Sequence, residues 1–451
     1  MNLLIYVDRG VISSNGVNGA VSVDGAPGYG ILGEWDVSLT LDGCLPAAFM
    51  VGLLVSSPIF AEASKHYNAF RLIAIGLGIW TLSAAGCGLS LSFWMLMLCR
   101  MAAGVGEASF VALAAPFIDD KAPPTTKTRW LAIFYLCIPT GFAAGYILGG
   151  LVAGPLGWRA AFLLEAAAML PFLVICMFAP AIDLRGKTPG SDKKLTWRET
   201  VREFGDDFAT IMRHPVYVCA IAAAAIYTGV SGVYAFMGPK ACRDVFHLPP
   251  ASADLVIGGV TVVTGILGTV LGGVVLDRIG STMPNALLLC AVGLLIGCGF
   301  IIFSFAVPRS LALFIPFFAI GELGLFCIQA PMNAVALWCV PTRLRPFAMS
   351  VLIVVIHCLG DVPSPPAAGW LQDHIHNWRL TMSICSLMLL ASVAVFLRGS
   401  FYARHQPDYR QQDRHPNRDS GDLESRDPSG SVDAPLLQPG AAESDDTIAQ
   451  E

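Results

Sequence analysis

The chain has 451 residues, 55% hydrophobic and only 14% charged, with a formal net charge of −5. Soluble domains carry about a quarter charged residues, so this composition excludes a protein held in water. The small net charge excludes a nucleic-acid binder that works through a general basic surface. The 45 glycines and 29 prolines fit membrane helices, where both are commoner than in soluble ones.

In chain order, residues 1–23 read as a first helix whose leading half is short or missing: apolar at 3–7, then interrupted by Asp8, Arg9, Asn15 and Asn18. A basic n-region followed by an apolar h-region is absent, so no signal peptide is expected. Apolar runs long enough to cross a bilayer follow at 43–64, 70–91, 93–118, 130–153, 160–180, 216–237, 254–276, 284–306, 310–338, 347–371 and 379–398. The expected fold is an all-α membrane protein of 12 transmembrane helices. Between the sixth and seventh lies a loop at 181–214 with 13 charged residues. The expected organisation is therefore a six-helix half at 1–180, a cytoplasmic central loop at 181–214, a second half at 215–398 and a polar, disordered cytoplasmic tail at 399–451.

Lys and Arg set the orientation. With the N-terminus cytoplasmic, the inner connections hold 15 and the outer ones 5, namely Arg159, Lys240, Arg243, Arg309 and Arg379. Both ends are thus expected inside. The 13 cysteines contain no CxxC pair and lie mostly in apolar runs, so they read as packing residues, with no metal, disulfide or cofactor implied.

The halves echo each other. Gly106 and Glu107, then Ala115 and Pro116, recur as Gly321 and Glu322, then Ala330 and Pro331, at an offset of 215; Trp158 and Arg159 recur as Trp378 and Arg379 at 220. Two six-helix pseudo-repeats with a site between them describe a secondary transporter that rocks. Gly273, Asp277, Arg278 and Gly280 follow the eighth span and closely resemble the GxxxD(R/K)xG loop of the major facilitator superfamily, which implies a cytoplasmic gate loop with a charge latch. The equivalent loop after the second span keeps only Glu62 as an acid. Gly141, Gly145, Gly149 and Gly150 resemble the superfamily's GxxxGPxxGG motif, with Tyr146 in place of Pro. They serve either helix packing or a hinge.

Ionisable residues inside spans cost at least ~2.5–3.5 kcal/mol each on insertion scales, so each is a functional candidate. Arg100 and Glu107 lie at i and i+7 on one helix face, too far apart for a tight pair, and Asp8 and Arg9 supply complementary charges. A carboxylate beside an Arg sheds its proton and regains it when that partner withdraws, which suits proton coupling; a static charge network is the alternative. Glu322, Gln329 and Asn333 form a polar stripe suited to a cavity wall. His357 and Asp361 lie one turn apart ahead of Pro363, Pro365 and Pro366, which bend a helix beside a cavity. Glu165 faces alanines and is ambiguous.

The strings around Asp8 and Arg9, around Arg100, Gly104 and Glu107, and around His357, Gly360, Asp361 and Pro363 resemble the spinster family, in its plant branch. Arg343, Arg345 and Pro346 fit the family's loop before the eleventh span. The likeness spans about 1–398. It implies a proton-linked carrier of sphingolipids or lysophospholipids in late endosomal and lysosomal (vacuolar) membranes, with protonation and head-group positions at Asp8, Arg9, Glu107 and His357. Spans rich in Phe, Met, Leu and Ala with few, clustered polar groups suit a lipid cargo. The alternatives are a facilitator for an organic anion or sugar, or a transport-dead membrane partner. An enzyme is not expected: no nucleophile elbow, metal spacing or phosphate loop is present. In the tail, Asp433, Leu436 and Leu437 resemble an acidic dileucine signal read by sorting adaptors.

Overall fold

A computed structural model describes residues 1–22, 27–64, 67–121, 123, 127–179, 197–406 and 408–409. Among the described residues seventeen α-helices follow in order: α1 (Asn2–Ser13), α2 (Asn15–Asn18), α3 (Gly30–Trp35), α4 (Leu39–Ala63), α5 (Ala69–Gly88), α6 (Phe93–Lys121), α7 (Lys127–Leu156), α8 (Trp158–Phe178), α9 (Trp197–Met212), α10 (Pro215–Phe246), α11 (Pro250–Ile279), α12 (Met283–Ala306), α13 (Leu311–Cys327), α14 (Gln329–Trp338), α15 (Arg345–Val355), α16 (Ser364–Ile375) and α17 (Trp378–Ala403). Among the described residues the sole β contact is an isolated bridge between Ala20 and Tyr29. Eleven helical stretches of the described residues are long and apolar enough to cross a membrane, with α13–α14 and α15–α16 each making one stretch. The first helix is 12 residues long, short of a full span. Residues 410–451, with Asp433, Leu436 and Leu437, lie outside the described residues.

Local chemistry places the helix starts. Ser38, Asn68, Thr282 and Asn377 each accept a first-turn N–H, for α4, α5, α12 and α17, satisfying donors that would otherwise be orphaned. Pro stands in the first turn of α10, α11 and α12, where its missing N–H costs nothing. Between α15 and α16 the backbone makes a π-helical turn over Ile356–Asp361. Gly360 sits there against α10, and a Cβ on it would come 2.7 Å from the Ala225 carbonyl oxygen.

In the first half α1 packs on α7, α4 on α6, and α5 on α6 and α8; in the second α12 packs on α13 and α17, and α10 on α17. Small residues let α1 and α7 touch backbone to backbone. A Cβ on Gly10 would strike the Phe142 carbonyl, and one on Gly145 the Val7 carbonyl, so the Gly145 motif is here a packing device. Between halves, α4 meets α16 and α7 meets α11. The 215-residue offset carries α4 onto α11 and α7 onto α15–α16, so these two contacts exchange under the repeat.

The structure departs from the sequence reading in three places. First, α10 continues to Phe246, so Lys240 and Arg243 are buried helix residues and not outer-loop cations. Second, the central segment contains α9, which sets Phe204 5.1 Å from Phe347 and Asp207 2.7 Å from Arg343, docking it on the second half. Third, α17 runs past Gly399 to Ala403.

Candidate functional site: buried charge pairs below a sealed end

Asp8 and Arg9, neighbours on α1, face Arg100 and Glu107 on α6. Arg100 Nη1 donates to Asp8 Oδ1 at 2.6 Å, with both side chains 1% exposed. Arg9 donates to Glu107 in a short ion pair. The partners cross over: each helix gives one acid and one Arg, and Arg100 and Glu107 do not pair with each other. Between the guanidiniums stands Phe49 of α4, its ring centroid 4.8 Å from the Arg9 carbon and 5.0 Å from that of Arg100. Two cations share one aromatic ring, each contact being worth about 2 kcal/mol or more when desolvated. Tyr6 and Phe162 flank them at 5.1 and 5.9 Å.

Across the interface, His357 Nδ1 lies 2.6 Å from Asp361 Oδ2, on the π-helical turn. Their side chains are 20% and 13% exposed, and Arg9 is 12% exposed, while Glu107 is closed off. The field of Asp361 reaches Arg9. Arg9, His357 and Asp361 are therefore the ionisable members that keep an accessible side.

The remaining expected site residues are arranged differently. Glu322 is buried and accepts from Thr264 Oγ1 at 2.9 Å and Thr261 Oγ1 at 3.0 Å on α11. The helix is interrupted at Ile328. Beyond it Gln329 donates to the Tyr227 hydroxyl at 3.0 Å, and Asn333 to the Gln329 carbonyl at 2.9 Å. The three do not make one continuous stripe: Glu322 turns into a helix–helix contact, because two hydroxyl donors there satisfy a buried carboxyl better than apolar neighbours would. In the loop after α11, Gly280 has φ +89°, a conformation that favours glycine. Gly273 lies inside α11 with open space at its Cβ position. Asp277 accepts from Ser281 Oγ at 2.9 Å, and Arg278 is exposed. Among the described residues neither makes an interhelical ion pair, so the expected latch is not engaged in this state.

A second polar assembly escaped the sequence reading. Lys240 Nζ donates to Asp42 Oδ2 at 3.0 Å and Asn18 Nδ2 to Asp42 Oδ1 at 2.7 Å. Asp254 accepts the Asn15 backbone N–H at 2.9 Å and its Nδ2 at 2.8 Å. Arg243 donates to the Gly19 carbonyl and the Tyr29 hydroxyl, both at 3.0 Å. Asp373 accepts from Leu39 N, Thr40 N and Thr40 Oγ1 at 3.0, 2.9 and 2.6 Å. All of these bonds except Asn18–Asp42, which stays within the first half, join the two halves, and all lie at the end remote from α9. That end is sealed. The polar interruptions Asn15 and Asn18 were its visible signal; Asp42 and Asp254 sat at span edges, where an acid reads as loop.

The Trp-Arg echo is structural as well. Trp158 Nε1 donates to Glu34 at 2.9 Å, and Trp378 Nε1 to Asp244 at 2.8 Å. Arg159 holds the Ser90 carbonyl at 2.8 Å, and Arg379 the Phe305 carbonyl at 2.6 Å. Outside the spans, the Arg159 hydrogen bond holds the Glu34 carboxyl below its usual range, whereas burial raises the Tyr29 phenol.

Two halves related by repeat, closed at one end around buried charge, define a transporter of the facilitator type. Residues 16–365 match the Major Facilitator Superfamily. The "Probable sphingolipid transporter spinster homolog 2" of Arabidopsis thaliana is 45% identical, over 97% of this chain and 90% of that one. "Protein spinster homolog 3" of Mus musculus is 30% identical, over 85% and 79%. The chain belongs to the spinster family of the major facilitator superfamily. A crystal structure of a bacterial homolog to the human lysosomal transporter Spinster, inward-facing and unoccupied, superposes with a TM-score of 0.72 at 18% identity, covering 90% of this chain and 95% of that one, and shares the fold.

Proposed function

We propose that the protein is a proton-linked secondary carrier that moves a sphingolipid or lysophospholipid by rocking its two halves. The relatives' names support the cargo class. The observation that carries the coupling is the crossed pairing of Asp8 with Arg100 and Arg9 with Glu107, buried except at Arg9. Such pairs are costly to bury and worse to break, so a rocking motion that parts them makes a carboxylate take up a proton. In this reading Asp8 and Glu107 are coupling acids. Arg9, His357 and Asp361 meet the head group, Glu322, Gln329 and Asn333 supply polar support in the second half, and the loop of Gly273, Asp277, Arg278 and Gly280 gates the cytoplasmic face. The halves are 1–180 and 215–398, α1 stands as the first of twelve helices, and both termini are cytoplasmic. The sealed end faces the lumen of a late endosome, lysosome or vacuole, and Asp433, Leu436 and Leu437 direct the protein there through an adaptor.

The test is flux in proteoliposomes with an imposed pH gradient, using labelled lysolipids and sphingoid bases against a labelled hexose. Lipid flux driven by the gradient is expected, with no hexose flux. Glu107→Gln keeps shape and loses titration, so it should leave the protein folded and inserted while abolishing the proton dependence. Undiminished pH-responsive flux in that variant removes Glu107 from the mechanism.

A further inference from the structure

Glu165 on α8 is a buried carboxyl, 2% exposed, which the crossed pairs leave out. Neither of its oxygens meets a donor, and Asp8 Oδ2 lacks one too. Yet Glu165 lies within hydrogen-bonding reach of Asp8 and in the field of Arg100. Two carboxylates are acceptors only; they can bond to each other only when one carries a proton.

The charges say the same. Around this point α1 brings Asp8 and Arg9, and α6 brings Arg100 and Glu107; α5 adds the buried Cys87 thiol beside Arg100 and Asp8. Among the described residues, α2 and α7, which also pack on α8, place no ionisable group against Glu165. Two cations thus face three carboxyl groups. With all three ionised, the buried cluster would carry one uncompensated negative charge, which a dry interior does not tolerate.

We propose that Glu165 is a proton-carrying residue of the cluster: in this state its carboxyl is neutral and donates its O–H to the free Oδ2 of Asp8. This rests on the proton-linked reading above and gives it a specific carrier. Arg100 faces both acids, so the transfer balances. The O–H bond at Glu165 breaks and one forms at Asp8, while Arg100 exchanges its Asp8 partner for the new Glu165 carboxylate.

The experiment is infrared difference spectroscopy of the full chain in lipid nanodiscs at neutral pH, reading the carbonyl stretch of protonated carboxylic acids. The expected result is a deuterium-sensitive band in the wild type that is lost in Glu165→Gln. Asp8→Asn retains Glu165 but frees Arg100 to neutralise it, so the band should vanish there as well. A merely structural Glu165 would not respond in that way. No band in the wild type, or a band that survives Glu165→Gln or Asp8→Asn, overturns the proposal. Should Glu165→Gln fail to fold, the wild-type and Asp8→Asn spectra decide it. Wild-type lipid flux indifferent to a pH gradient, with the band present and lost in both variants, would instead sink the proton-linked reading and leave the neutral Glu165 standing.

Discussion

Lys240 of the second half reaches Asp42 of the first, Nζ to Oδ2 3.0 Å, with side chains 5% and 0% exposed. This pair joins the two halves directly by charge, at a helix end where both side chains are buried. It is fastened by Asn18 on the same carboxylate and, a few residues along α10, by Arg243 on the Gly19 carbonyl.

Breaking that pair should open the sealed end. Lys240→Met leaves Asp42 buried and unpaired, at a cost of about 3–5 kcal/mol, whereas Asp42→Asn combined with Lys240→Met should recover much of it. Cys44 lies half-buried beside Asp42 and reports opening directly. Its labelling by a maleimide, followed by mass spectrometry, should rise several-fold in Lys240→Met. An unchanged rate would show that the pair does not hold this end shut.

Phe49 should matter beyond its volume. Phe49→Leu keeps most of the packing, so a loss well above the ~1.5 kcal/mol typical of such swaps would measure the two cation contacts. Phe49→Ala should cost about 3–5 kcal/mol. Thermal unfolding in detergent micelles checks both, and equal, small losses would deny Phe49 its place between the guanidiniums.

The contact of α1 with α7 has no room for a side chain. Gly145→Leu should push α1 away from α7 and destabilise by about 1–3 kcal/mol. It should also loosen Asp8 and Arg9 from α6, so flux falls more than stability does. Wild-type flux and melting in Gly145→Leu would contradict the observed packing.

Asp277, near the end of α11, accepts from Ser281 just beyond the helix and makes no interhelical ion pair among the described residues, so Asp277→Asn should leave stability within ~0.5 kcal/mol and lipid binding unchanged while slowing turnover. Binding and flux measured separately decide it; weakened binding with normal turnover is the contrary result.

The Glu34–Arg159 pair is pH-dependent in a definite sense. Glu34 is held below its ordinary value in the folded chain, so its contribution is complete above the ordinary glutamate range and is lost as pH falls through the depressed value. Glu34 is 36% exposed, and screening limits the effect to about 0.2–1 kcal/mol. Melting curves of wild type and Glu34→Gln should differ at neutral pH and converge in acid. A gap that widens in acid would reverse the sign.

The amino-acid sequence alone determined the class of this protein, because a bilayer demands long apolar runs and duplication leaves fixed offsets. The echo of Trp158 and Arg159 in Trp378 and Arg379 was legible in that way, and it corresponds to matching indole–acid bonds in both halves. It also singled out Asp8, Arg9, Arg100 and Glu107, since a charge inside an apolar run stands out whatever its partner. Pairing was another matter. Which acid meets which Arg depends on how α1 crosses α6, and helical spacing carries no information about a neighbouring helix. The end of α10 hid Lys240 and Arg243 for the same reason: a cation near a span boundary reads as a loop residue until its buried partners from the other half are found beside it. Glu165 among its alanines looked ambiguous for want of a partner on its own helix; the partner, Asp8, comes from α1 some 157 positions earlier in the chain, and only the packed bundle brings the two carboxyls together.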